Sequence, residues 1–314
     1  MTSQITDSIL LIEPVAFHKN KETAVNNYFQ HNLEGVNESE IQAQAVQEFK
    51  QFRAQLEVHG INVKSFTDLK ENDTPDSIFP NNWVSFHDDG SVLLYPMFAP
   101  NRRLERRQDI LKALEKDFLV REVHDLSYLE EKKIFLESTG SLIFDRACKK
   151  VYAALSERTH IEGLKVFADL TGYEPITFHA NQSVNGLRMP IYHTNVMMSI
   201  GENFAVICLD SIDDVNEKET VVKALEESAK EIIPITEQQV EHFAGNILQL
   251  RNEKMESFIV MSTAAFDSLQ PEQIEKLEQY GLIVHSPITT IETLGGGGVR
   301  CMMGEIFLPK RLID

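Results

Sequence analysis

Leu142-Ile143-Phe144-Asp145-Arg146-Ala147-Cys148-Lys149-Lys150-Val151-Tyr152-Ala153-Ala154-Leu155-Ser156-Glu157-Arg158-Thr159-His160-Ile161-Glu162 holds two short apolar runs followed by a helix start. Leu142–Phe144 and Val151–Ala154 read as strands, being short and rich in β-branched and aromatic residues. Thr159 followed by Glu162 has capping-box spacing and predicts a helix over Thr159–Leu170. The same grammar recurs along the chain. Helical patterns run over Glu40–His59 (started by Asn37 with Glu40, stopped by Gly60), Arg102–Asp117, Glu217–Ile232 and Pro271–Tyr280. Apolar runs at Ser8–Ile12, Val92–Tyr95, Ile134–Leu136, Phe204–Leu209, Ile247–Leu250, Phe258–Met261 and Leu282–Val284 read as strands. The helices start roughly 55–60 residues apart with two or three strands in each interval. That spacing predicts five β/α units of ββαβ type rather than one doubly wound sheet. No linker or low-complexity tract divides residues 1–314, so one domain is expected.

The chain carries 48 acidic against 30 basic residues, a formal net charge of −18. A nucleic-acid binder needs a basic stripe, so that class is not expected. No basic segment leads into an apolar one at the N-terminus, and no apolar run reaches membrane-spanning length. Cys148, Cys208 and Cys301 are odd in number and widely spaced, which fits neither a disulfide framework nor a metal site. The expectation is a cytoplasmic protein without metal or other cofactor, its oligomeric state open and a homo-oligomer compatible.

Cys301 lies behind Gly295-Gly296-Gly297-Gly298-Val299-Arg300. A thiol at the end of a run that tolerates unusual backbone angles is either a nucleophile or a buried structural cysteine. His193, among Ile191, Tyr192, Val196 and Met197, reads as a proton-transfer group or as a core histidine bonded to backbone. Glu137, between the apolar runs Ile134–Leu136 and Leu142–Phe144, is costly unless paired or used. Asp76 through Trp83 offers an acid and the amides Asn81 and Asn82, suited to a small polar ligand or to an Asx turn. Arg102 and Arg158 present guanidinium forks suited to a carboxylate, Arg158 at a helix start where a lone cation is disfavoured.

Taken in order, the Asp76–Trp83 segment, the Pro100-Asn101-Arg102-Arg103 run, Glu137, His193 and Cys301 resemble the guanidino-group-modifying superfamily of arginine deiminases, dimethylarginine hydrolases and amidinotransferases. The likeness extends from about Asp76 to Phe307, and its closest branch looks like the bacterial citrulline-utilization hydrolases. It implies a five-bladed α/β propeller. It also implies Cys301 as nucleophile, His193 as general acid/base, Glu137 as the carboxylate orienting His193 or substrate, and Arg102 and Arg158 on the substrate α-carboxylate. Asn246 matches a strand-start motif of the family.

Two positions depart from the arginine-processing pattern: Asn82 and Asn195 stand where relatives place acids. A desolvated cation needs opposite charge, whereas a neutral ureido group matches an amide. The implied reaction is hydrolysis of citrulline to ornithine, ammonia and carbon dioxide through a covalent Cys301 intermediate. Asp76, Asn82, Asn195, Arg102 and Arg158 are the implied contacts to the amino-acid substrate. An arginine deiminase, an amidinotransferase and a catalytically silent amino-acid-binding protein are the alternatives.

Overall fold

In the computed structural model, which describes residues 3–33 and 35–311, the chain forms five three-stranded sheets and one additional hairpin. The stretch quoted first builds the third sheet. Ile143–Asp145 pairs antiparallel with Lys150–Ala154, helix Ile161–Thr171 crosses over, and Glu174–Phe178 returns parallel to the middle strand. A parallel return requires such a crossover, and the helix covers one face of the sheet.

Three other units repeat this order. Val84–Phe86, Ser91–Leu94, helix Gln108–Leu114 and Glu122–Asp125 form the second. Met198–Ile200, Phe204–Ile207, helix Val215–Glu227 and Glu231–Pro234 form the fourth. Leu248–Arg251, Ser257–Ser262, helices Thr263–Ser268 and Pro271–Glu278, and Leu282–Ser286 form the fifth. The first unit is assembled from both ends of the chain. Ser8–Glu13 pairs parallel with Asn62–Thr67 across helix Glu38–Val58, and its antiparallel neighbour is Gly304–Glu305. The five ββαβ units expected from helix spacing are therefore present.

Local chemistry sets the boundaries. Asn37 caps helix Glu38–Val58 in a capping box with Glu40, as its spacing predicts, and Gly60 leaves the helix at φ +79°. Thr159 does not cap its helix. His160 is the N-cap, because the Thr159 hydroxyl donates instead to Ser141 Oγ at 2.8 Å. The basic run beginning at Arg102 is a 3-10 turn, Asn101–Glu105, separated from helix Gln108–Leu114. The Glu217–Ile232 pattern stops being helical at Glu227, and its tail joins the strand Glu231–Pro234. Ile134–Leu136 is not a strand: Leu136 makes only an isolated bridge to Thr159. No helix among the described residues is long and apolar enough to cross a membrane.

Candidate active site

Five short turns, with the residues immediately before them, carry Asn82, Glu137, His193, Asn195, Asn246 and Cys301, one turn from each unit. They are Pro80–Asn82, Ser138–Ser141, Thr194–Val196, the turn closed by the Asn246 N–H on Phe243 O, and Val299–Met302. In each case one residue separates the turn from the first strand of its unit. The corresponding turn regions of the repeat thus supply Asn82, Glu137, His193 with Asn195, Asn246 and Cys301. All six side chains are buried.

Glu137 precedes the turn Ser138–Ser141 rather than lying between two strands. Its Oε2 accepts from His193 Nε2 at 2.7 Å, its Oε1 accepts from the Phe98 N–H at 2.9 Å, and Arg158 Nη1 lies 3.7 Å away. Burial raises the Glu137 carboxyl, but the Arg158 charge and the His193 hydrogen bond outweigh it and hold the group at about 2. A carboxylate only accepts, so His193 Nε2 carries the proton and Nδ1 is left as the basic nitrogen. Burial pulls the imidazole down to about 4 against the pull of Glu137, so the resting ring is neutral.

The thiol end is built from amides. Asn246 Nδ2 donates to Cys301 Sγ at 3.2 Å and Asn195 Nδ2 at 3.4 Å. Burial pushes the Cys301 thiol up, while Asn246, Arg300 and Asn195 work against that rise. Asn246 is fixed in turn, donating to Asn195 O at 2.8 Å and accepting from the Arg300 N–H at 3.0 Å. The glycine run is not a loose turn. Gly295 ends helix Thr289–Gly295, Gly296 caps it at φ +62°, and Gly298 is the N-cap of the turn bearing Cys301. A Cβ on Gly298 would meet Asn246 Oδ1 at 2.7 Å.

Arg102 is committed to protein partners. Its Nε and Nη2 donate to the two Glu105 oxygens at 2.8 and 2.9 Å, and Nη1 donates to Asn82 Oδ1 at 2.8 Å. That last bond fixes the orientation of the Asn82 amide. Its Nδ2 is buried without a hydrogen-bond partner among the described residues. Arg158 is held by Asn26 Oδ1 and Thr23 O, and its guanidinium lies 4.7 Å from the Tyr192 ring centroid. Asp76 Oδ2 accepts from Asn20 and Thr23 at 2.8 and 3.0 Å, while Oδ1 has no partner among the described residues. One cavity is lined by Asp76, Asn82, Arg102, Arg158, His193 and Cys301 together.

Two contributions escaped sequence reading. The polar stretch after the first strand supplies Asn20, Thr23 and Asn26 to the site, and its Asn27 and Gln30 donate to Gly295 O. Its density of Asn and Gln, among them Asn20, Asn26, Asn27 and Gln30, is the signal the sequence offers. Gly140 is the second: a Cβ there would meet Asn82 Nδ2 at 2.3 Å and His193 Nδ1 at 2.8 Å. Only a residue without a side chain lets those two groups stand so close.

The family model for N,N dimethylarginine dimethylhydrolase, eukaryotic, matches residues 13–308. No curated protein sequence is significantly similar to the chain. Among solved structures, the N-terminal domain of ArgZ covalently bound to a reaction intermediate superposes with a TM-score of 0.73 at 18% identity, covering 96% of this chain and 98% of that one. The same domain is described as an arginine dihydrolase from cyanobacteria. AgrE bound to L-arginine gives 0.73 at 17% identity, over 97% of this chain and 40% of that one. A dimethylarginine dimethylaminohydrolase adduct with S-methyl-L-thiocitrulline gives 0.63 at 13%, over 98% and 100%. The chain belongs to the N,N-dimethylarginine dimethylhydrolase family, within the guanidino-group-modifying superfamily, and is homologous to Cys-dependent hydrolases that act on C–N bonds.

Proposed function

We propose that this enzyme hydrolyses a neutral ureido group, that of citrulline, through a covalent intermediate on Cys301. The observation that carries the reading is the Asn82 amide. Arg102 holds its oxygen, so the group it offers the cavity is an N–H donor. A donor matches the C=O of a urea and opposes the N–H edge of a guanidinium. Asn195, likewise neutral, faces the sulfur through its own N–H.

His193 Nδ1 takes the thiol proton as Sγ bonds to the ureido carbon. The C–N bond then breaks with its electron pair on the departing nitrogen, which His193 protonates. Water, deprotonated by the same imidazole nitrogen, adds to the carbon. The C–S bond breaks, and the resulting carbamate decomposes to amine and carbon dioxide. Glu137 stabilises the imidazolium formed twice in this cycle. Arg158, whose Nη1 makes no hydrogen bond within the described residues, is assigned to the substrate carboxylate and Asp76 Oδ1 to its ammonium. Arg102 acts by positioning Asn82. The convergence of equivalent turns from five units supports a radial, five-bladed arrangement as one catalytic domain.

Arginine is the rival substrate, favoured by the unpartnered Asp76 oxygen and by the arginine-binding structural neighbours. Purified enzyme is to be incubated separately with citrulline and arginine. Ornithine and ammonia from citrulline, with arginine untouched, is the expected result; citrulline accumulating from arginine overturns it.

A further inference from the structure

A groove of about 530 Å³ lies outside the thiol cavity, bounded by Tyr28 and Phe29 on one side and by Glu292 of helix Thr289–Gly295 on another. Gln182, from the hairpin Asn181–Pro190, and Phe243 complete the part that matters here. Glu292 and Gln182 are only 6% and 7% exposed. Glu292 Oε1 and Gln182 Nε2 nevertheless have no hydrogen-bond partner among the described residues. A buried acceptor and a buried donor left open in one hollow are each costly. Phe29 and Phe243 pack with ring centroids 5.6 Å apart on the same surface.

We propose that this groove binds a small zwitterionic amino acid at a second site. Its ammonium bonds Glu292, its carboxylate accepts from Gln182, and its side chain lies along Phe29 and Phe243. Burial, with the nearby Glu48 charge adding to it, pushes the Glu292 carboxyl up to about 8 against a hydrogen bond from Ser262. His31, Glu241 and His242 are the other titratable groups of the groove besides Tyr28. The site is joined to the cavity through its walls. Tyr28 and Phe29 follow Thr23 and Asn26, which hold Arg158, and the His31 N–H donates to Thr293 O at 2.6 Å.

Calorimetric titration of the whole chain with L-ornithine tests this, since ornithine is not consumed. Two binding events are expected. Glu292→Gln and Gln182→Leu should each weaken one event about tenfold or more while leaving the other in place. Two variants on separate elements guard against misfolding of either, checked by thermal melting. The absence of any event that either variant weakens, whether the wild type shows one event or two, overturns the site. A protein that turns over neither citrulline nor arginine but keeps the Glu292-dependent event refutes the proposed reaction and leaves the groove standing.

Discussion

The two ends of the cavity are built on opposite electrostatic plans. At one end Glu137, His193 and Arg158 form a buried cluster in which a carboxylate is held ionised and an imidazole is held neutral. At the other, Cys301 accepts from the neutral donors of Asn195 and Asn246 alone among the described residues, and burial pushes its thiol up. The contrast teaches that Cys301, the proposed nucleophile, has no cationic hydrogen-bond partner among the described residues. A neutral thiol beside a neutral base avoids placing an unpaired charge in the interior before substrate arrives. Fixed charge is concentrated where the proposed mechanism forms the His193 imidazolium.

The comparison is broken most severely at its charged end. Glu137→Gln removes the carboxylate facing both His193 and Arg158. Turnover is expected to fall by about 10²–10⁴-fold, and denaturant unfolding should show a loss of about 3 kcal/mol or more. Full activity in this variant would remove Glu137 from the mechanism. Gly140→Ala probes the junction between the ends, because its methyl must displace the Asn82 amide or His193. Steady-state kinetics should show kcat reduced by about 10²-fold, with near-normal values contradicting the tight approach.

Asn82→Asp sharpens the neutral end. It exchanges an N–H donor for an acceptor and should move the ratio of kcat/KM for citrulline over arginine toward arginine by about tenfold or more. An unchanged ratio would dismiss charge at this position as the discriminator. The smallest effect is on stability against pH. His193 is about 4 in the folded state against 6.5 ordinarily, so the unfolded chain binds the extra proton. Stability is therefore expected to be lost as pH falls from about 6.5 to 4, and Glu137, held near 2, extends the loss below 4.5. Unfolding free energies of wild type and His193→Gln across this range check it: the variant should show a shallower decline above about pH 4.

The repeat was legible because its helical patterns recur at similar spacing and its middle strands are apolar. Three of the first strands were not: Val84–Phe86 and Met198–Ile200 have three residues each, and Gly304–Glu305 has two, contributed from the far end of the chain. Too few residues remain to show a period. Cys301, His193 and Glu137 could be named from motifs, yet the Glu137–His193 pair spans 56 positions and the Asn26–Arg158 bond 132. Contacts at such separations depend on how the units meet. Gly140 was hidden for a related reason, since the atoms that exclude its side chain come from two other units.

The central claim is that Cys301 attacks a ureido carbon, and mass analysis of acid-quenched enzyme during turnover tests it most directly. With citrulline, the peptide containing Cys301 should carry a carbonyl adduct, either citrulline less ammonia or a carbamoyl group. An unmodified Cys301 with citrulline, together with an amidine-type adduct from arginine, would contradict the claim.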